Sequence, residues 1–324
     1  MMIEVPSKTE AEQQDLFDRS HERFLDACDR VGTEDHFFRI ADTTIRLCFA
    51  GQRMVSLLVS ALEHLRIEPI GTTDFTFCAW DTESTGVDMV RPSCRWDAFT
   101  NRGDIWGFNS RRIRSAFHWV ENSVNLMNLD TGTGIYWLQS ADNTPFWVNA
   151  SPLRTLMHWC MESRNRQLMH AAAVGTDDGA VLITGRGGVG KSTTALASLR
   201  AGLSYIGDDY LVVGLDPEPT AFSLYSTAKL NADNIEKLPD FRPFITNEHA
   251  LDEEKAIMFL HPHFTDRLRA DMPIRAILVP RVQDRVDTGF SPIDAMTVRR
   301  AASGTTMSQL PHAGRYTHEY LDRL

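Results

Sequence analysis

No stretch of the 324-residue chain is apolar for anything near the roughly 20 residues that a membrane span requires. The longest runs, Met54–Leu62 and Ala180–Thr184, are far shorter, and no span is expected. Positive charge is also short: 33 Lys and Arg face 43 Asp and Glu, a net charge of −10 that repels a phosphodiester backbone, so nucleic acid is not an expected partner. The five cysteines, Cys28, Cys48, Cys78, Cys94 and Cys160, form no C-x-x-C pair, which argues against a zinc ribbon or a disulfide framework and for reduced, packed thiols. The first twenty residues are polar and acidic and lack the basic start and apolar stretch of a secretory signal, so a cytoplasmic protein is expected. There is no internal repeat and no low-complexity tract.

Hydrophobic residues make up 43% and charged residues 23%, the balance of a folded globular protein, and the length suits about two domains. Glu10–Arg30 places Leu16, Phe17, Phe24, Leu25 and Cys28 at helical spacing, and a second helix is predicted over Val55–Leu65. Between Asp74 and Asn149, short β-like runs (Phe75–Trp80, Ile113–Trp119, Ile135–Leu138, Phe146–Val148) alternate with Asp, Asn, Gly and Pro turns, which predicts antiparallel β structure. All seven tryptophans lie between Trp80 and Trp159. Pro152 suits the first turn of a helix over Leu153–Arg166. The expected division is therefore an α+β, Trp-rich recognition domain over residues 1–150 and an α/β domain over 151–324.

The second domain reads as an apolar strand (His170–Val174), a turn, a second strand (Ala180–Thr184), a glycine loop, a helix, and a strand (Leu203–Ile206) that ends at Gly207-Asp208-Asp209. This is the order of a βαβ unit. The loop, Gly185-Arg186-Gly187-Gly188-Val189-Gly190-Lys191-Ser192, fits G-x-x-x-x-G-K-[ST] between strand and helix. Glycines at 185, 187, 188 and 190 let backbone amides, Val189 and Thr193 included, turn toward phosphate oxygens. Lys191 reaches the β and γ phosphates, and the Ser192 hydroxyl suits Mg²⁺. Asp208 and Asp209, at a strand end beyond which ligands bind in open α/β sheets, divide naturally into one carboxylate for the metal and one for an acceptor hydroxyl.

Among other charged residues, Lys229, Lys255 and Arg275 are candidates to stabilise a transferring phosphoryl group, with Arg275 favoured because it precedes the apolar strand Ala276–Val279. Arg111, Arg112 and Arg114 form the densest basic patch and read as a solvated loop or a dock for an acidic partner. His261 and His263 flank Pro262 in a turn and lack further ligands at metal spacing.

The segment from Met169-His170-Ala171-Ala172-Ala173-Val174 through the loop to Ile206-Gly207-Asp208-Asp209 resembles the C-terminal catalytic domain of HPr kinase/phosphorylase and of HPr-kinase-like proteins. The intervals from His170 to Gly185 and from Lys191 to Asp208 agree on both sides of the loop. The resemblance is clear over Met169–Val213 and implies a P-loop catalytic domain with a mixed sheet, using ATP and Mg²⁺ to phosphorylate a serine hydroxyl of a protein or small peptide. It implies that Asp208 takes the acceptor proton, that Asp209 with Ser192 stands on the metal side, that Lys191 meets phosphate, and that His170 is an active-site histidine. It also suggests a homo-oligomer. The Glu-Leu-Arg-Gly segment of true HPr kinases is missing after the aspartate pair, so HPr itself is not the expected acceptor. Lasso-peptide clusters contain kinases of this general type, which makes a peptide precursor an acceptor implied by resemblance alone. The alternative is a non-catalytic ATP-binding sensor that acts on a partner through the Trp-rich half.

Overall fold

The computed structural model describes residues 7–108, 110–284 and 287–311. They form a mixed α/β protein of two compact units, one of residues 7–60, 66–164 and 310–311, the other of 61–65 and 165–309. The division expected at 150/151 thus falls after Arg164, because the helix that follows Pro152 belongs to the first unit.

The first unit begins with α1 (Glu10–Val31). Thr9 Oγ1 accepts the Glu12 N–H at 3.2 Å while the Glu12 carboxylate accepts the Thr9 N–H at 2.8 Å, and this reciprocal cap starts the helix. Strands β1 (Thr33–Ile40) and β2 (Thr43–Ala50) follow, then α2 (Val55–Val59), which passes into a 3-10 turn over Ser60–Leu65. Next come β3 (Phe75–Asp81), α3 (Thr82–Thr85), β4 (Ile113–His118), β5 (Ser123–Asn128), β6 (Thr133–Leu138), α4 (Phe146–Ala150) and α5 (Arg154–Ser163). The six strands form one sheet in the order β1-β2-β3-β6-β5-β4. The apolar stripe of α1, Leu16, Phe17, Phe24 and Ala27, shares a core with Cys48, Cys78, Trp80 and Trp137 of the sheet.

Four expectations for this unit change. The sheet is mixed, since β2 pairs parallel with β3 and β3 parallel with β6. Phe146–Val148 is helical, and β5 was not foreseen: all six of its residues, Ser123, Asn125 and Asn128 among them, are buried, so its polar residues do not mark a solvent face. Nor is the arginine patch a solvated loop throughout, for Arg114 is buried with its Nη1 3.0 Å from the Glu162 carboxylate.

The second unit contains β7 (Gln167–Met169), β8 (Ala171–Thr176), β9 (Gly179–Thr184), α6 (Lys191–Arg200), β10 (Ser204–Gly207), β11 (Leu211–Gly214), β12 (Thr220–Phe222), β13 (Thr227–Leu230), α7 (Ala232–Ile235), β14 (Ala256–Phe259), β15 (Asp271–Leu278) and α8 (Ala295–Gln309). Seven strands form a sheet in the order β10-β8-β9-β15-β12-β11-β7, while β13 and β14 pair separately. The expected βαβ unit is present with one difference: β8 lies between β9 and β10 and is antiparallel to both, so these two run in the same direction without touching. The parallel neighbour of β9 is β15. Among the described residues no helix is long and apolar enough to cross a membrane.

Candidate functional site

The strand register brings the chemistry of the second unit to one end of its strands. Ala171, which opens β8, pairs with Thr184, which closes β9, and Gly207, which closes β10, pairs with Ala173. The glycine loop after β9, His170 before β8 and Asp208 after β10 therefore emerge side by side. Leu211 at the start of β11 pairs with Met169 at the end of β7, which draws the chain around Asp209 and Tyr210 toward His170.

Within the loop, Gly185 has φ 145, and a Cβ there would meet Val189 Cγ2 at 3.0 Å, so glycine permits both the turn and the return of Val189 over it. Gly190, with φ 99, precedes α6, and no side chain caps that helix, so its first amides are left for an anion. Lys191 is buried, and its ammonium donates to the carbonyls of Gly185 at 2.9 Å and Arg186 at 3.2 Å. Burial pushes its pKa below the usual lysine value, against the pull of Asp208 and Asp209, while the nearby charge of Lys255 pushes the same way as burial.

The two aspartates differ sharply. Asp208 is 1% exposed, and neither carboxylate oxygen has a hydrogen-bond partner of normal geometry among the described residues. Burial raises its pKa, Asp209 adds to the rise, and the Ser192 hydroxyl opposes it. Asp209 sits in the left-handed region at φ 69, with Oδ1 3.0 Å from His170 Nε2 and Oδ2 accepting from Lys229 Nζ at 2.6 Å. Burial alone would raise its pKa, but Lys229, then His170, hold it well below the usual carboxylate range. The expected division of labour thus meets an unexpected arrangement, because the carboxylate assigned to the metal is engaged on both oxygens and its neighbour on none. The donors that fit a divalent cation without rearrangement are the Ser192 hydroxyl and the unpartnered oxygens of Asp208.

His170 is held from three sides. Its backbone N–H donates to Thr306 Oγ1 of α8 at 3.1 Å, its ring lies 5.4 Å from that of Tyr210, and its Nε2 meets Asp209. The Tyr210 hydroxyl in turn bonds the Gln309 side chain.

Arg275 is the candidate that the structure places elsewhere. It lies in the strand parallel to β9 at the end where that strand begins: a Cβ on Gly179 would meet Arg275 Cγ at 2.6 Å, whereas the loop leaves from Thr184. Its guanidinium bonds the Asp178 carbonyl and the Glu218 carboxylate, each at 3.1 Å. Of the other two candidate cations, Lys229 meets Asp209 and Lys255 is near enough to Lys191 for its charge to act on it. Lys229 is buried in β13, and Lys255 is exposed immediately before β14, where the Asn247 amide bonds the Lys255 carbonyl and the Ile257 N–H, both at 2.8 Å.

No protein-family model matches the chain, and no curated protein matches it. Among solved structures the chain is similar to the Hpr(Ser) kinase/phosphatase from Coxiella burnetii, at 19% sequence identity over 35% of this chain and 64% of that one, with a TM-score of 0.26. The match spans less than two thirds of that protein's length.

Proposed function

We propose that the second unit binds ATP at the glycine loop and transfers its γ-phosphoryl group to a serine hydroxyl of a protein or small peptide other than HPr. The observation that carries this reading is the buried, unpartnered carboxylate of Asp208 beside Ser192 and Lys191. A buried carboxylate without partners destabilises the fold, so it calls for a function, and it is suited to accepting a proton.

In the proposed reaction the loop amides and the first turn of α6 hold the phosphates. Lys191 exchanges the Gly185 and Arg186 carbonyls for phosphate oxygens. The acceptor oxygen bonds to the γ-phosphorus as the bond from phosphorus to the β–γ bridging oxygen breaks, ADP leaves, and the hydroxyl proton passes to Asp208. Ser192 and Asp208 would hold Mg²⁺, which when bound neutralises charge on the β and γ phosphates.

The test is calorimetry with ATP and Mg²⁺, followed by transfer from γ-labelled ATP to arrayed serine peptides and to purified HPr. Nucleotide binding with label on serine peptides and none on HPr is expected. A protein that binds no nucleotide, or one that binds it and labels no hydroxyl, would overturn the kinase reading, the latter result in favour of a sensor.

A further inference from the structure

The cluster around Asp209 contains a cation, Lys229, that takes no part in the proposed reaction. Lys229 is carried by β13, in the small β13–β14 sheet, 20 residues along the chain from the carboxylate it meets. Its side chain is 9% exposed and that of Asp209 is 24% exposed, so the pair is removed from most of the water that would weaken it. On the other side of the same carboxylate stands the His170 ring, itself fixed by Tyr210 and, through the backbone, by Thr306. Asp209 adopts the left-handed conformation, which a single aspartate enters when hydrogen bonds hold its short side chain there. Two directed contacts on two oxygens do so.

We infer that Lys229 is a positioning residue: with His170 it clamps Asp209 in the left-handed turn, and the clamp keeps the Asp208 carboxylate buried, unpartnered and beside Ser192. Its consequence for catalysis rests on the phosphotransfer reading above, but its structural part does not. A role for Lys229 as a free clamp on the transferring phosphoryl group fits less well. If the ammonium left for phosphate, Asp209 would lose its nearest positive charge while packed beside a second buried carboxylate.

The experiment compares wild type with Lys229→Met and Lys229→Arg by crystallography, ATP calorimetry and steady-state transfer. In Lys229→Met, Asp209 should leave the left-handed turn and Asp208 should move from Ser192. Transfer should fall about 10²-fold in kcat with KM for ATP nearly unchanged, since the reacting groups are misplaced while the phosphate cradle is intact. Lys229→Arg should recover most of the loss. Asp209→Asn, which removes the charge but keeps a bond to His170, should shift Asp208 in the same way and serves if the methionine variant does not fold. An Asp208 that stays in place in both Lys229→Met and Asp209→Asn overturns the proposal, as does a loss confined to ATP affinity or one that arginine does not repair. If wild type itself transfers no phosphate, the kinase reading fails, and the crystal structures alone still decide whether the clamp exists.

Discussion

Lys191 donates to the carbonyl of Gly185, six residues earlier, so the cation of the glycine loop is closed on the first residue of that loop. The bond replaces part of the hydration that burial removes from the ammonium, and a phosphate oxygen can take its place with a full negative charge.

Removing this cation by Lys191→Ala should weaken ATP binding about 10–100-fold, the worth of a charge-assisted hydrogen bond of about 1.5–3 kcal/mol. The fold should persist, because the lost contacts are hydrogen bonds within one loop, to the carbonyls of buried Gly185 and exposed Arg186. Calorimetry beside a thermal melt separates the two effects, and unchanged affinity would show that phosphate sits elsewhere.

Asp208→Asn should separate stability from activity. Because burial raises the folded pKa of this carboxyl, the folded state binds its proton more tightly than the unfolded chain does, and stability falls as pH rises from the unfolded value toward the folded one. An amide carries no charge to bury. The variant should therefore melt a few degrees higher than wild type at neutral pH, about 2–4 °C for each kcal/mol recovered. Transfer should fall by about 10²–10⁴-fold with ATP still bound. A variant that melts lower, or that transfers phosphate at the wild-type rate, would remove Asp208 from the role of base.

In the first unit, Arg114→Met should strand Glu162. The Glu162 side chain is 6% exposed, and burial raises its pKa while Arg114 opposes the rise. Loss of the arginine should cost about 3–5 kcal/mol at neutral pH, the penalty for one uncompensated buried charge. Since a raised carboxyl destabilises only when ionised, the deficit should shrink as pH falls toward the unfolded glutamate value, and denaturant unfolding at several pH values measures this. A deficit independent of pH would point to lost packing instead.

Gly190→Ala should strain the entry to α6. Nothing lies within 4 Å of a Cβ placed there, so the effect isolates the backbone conformation, φ 99, at a cost of about 1–2 kcal/mol. Weaker ATP binding with a small drop in melting temperature is expected, and wild-type affinity would show that the loop tolerates another conformation.

The loop and the aspartate pair are legible in the sequence because they are local, an unbroken run from Gly185 to Ser192 and a doublet at a strand end. Lys229 carries no such signal, since it reaches Asp209 only through a separate two-stranded sheet. Arg275 shows why a basic residue before an apolar strand misleads. A strand parallel to β9 presents its first residues at the end opposite the loop, and strand direction cannot be read from periodicity. The same blindness hid the parallel pairing of β3 with β6, because parallel and antiparallel strands alternate alike. Arg114 looked solvated because its neighbours Arg111 and Arg112 are, and its acidic partner lies in α5, far along the chain.

Since β8 runs against both of its neighbours, the far end of these strands holds a different kind of structure. There the β8–β9 hairpin turns through Thr176, Asp177 and Asp178, all exposed and a full strand length from the glycine loop. That turn is a natural handle. A fluorophore, a surface tether or new chain termini introduced at Asp177 would report on or immobilise the unit while leaving the end of the strands that carries Lys191 and Asp208 untouched.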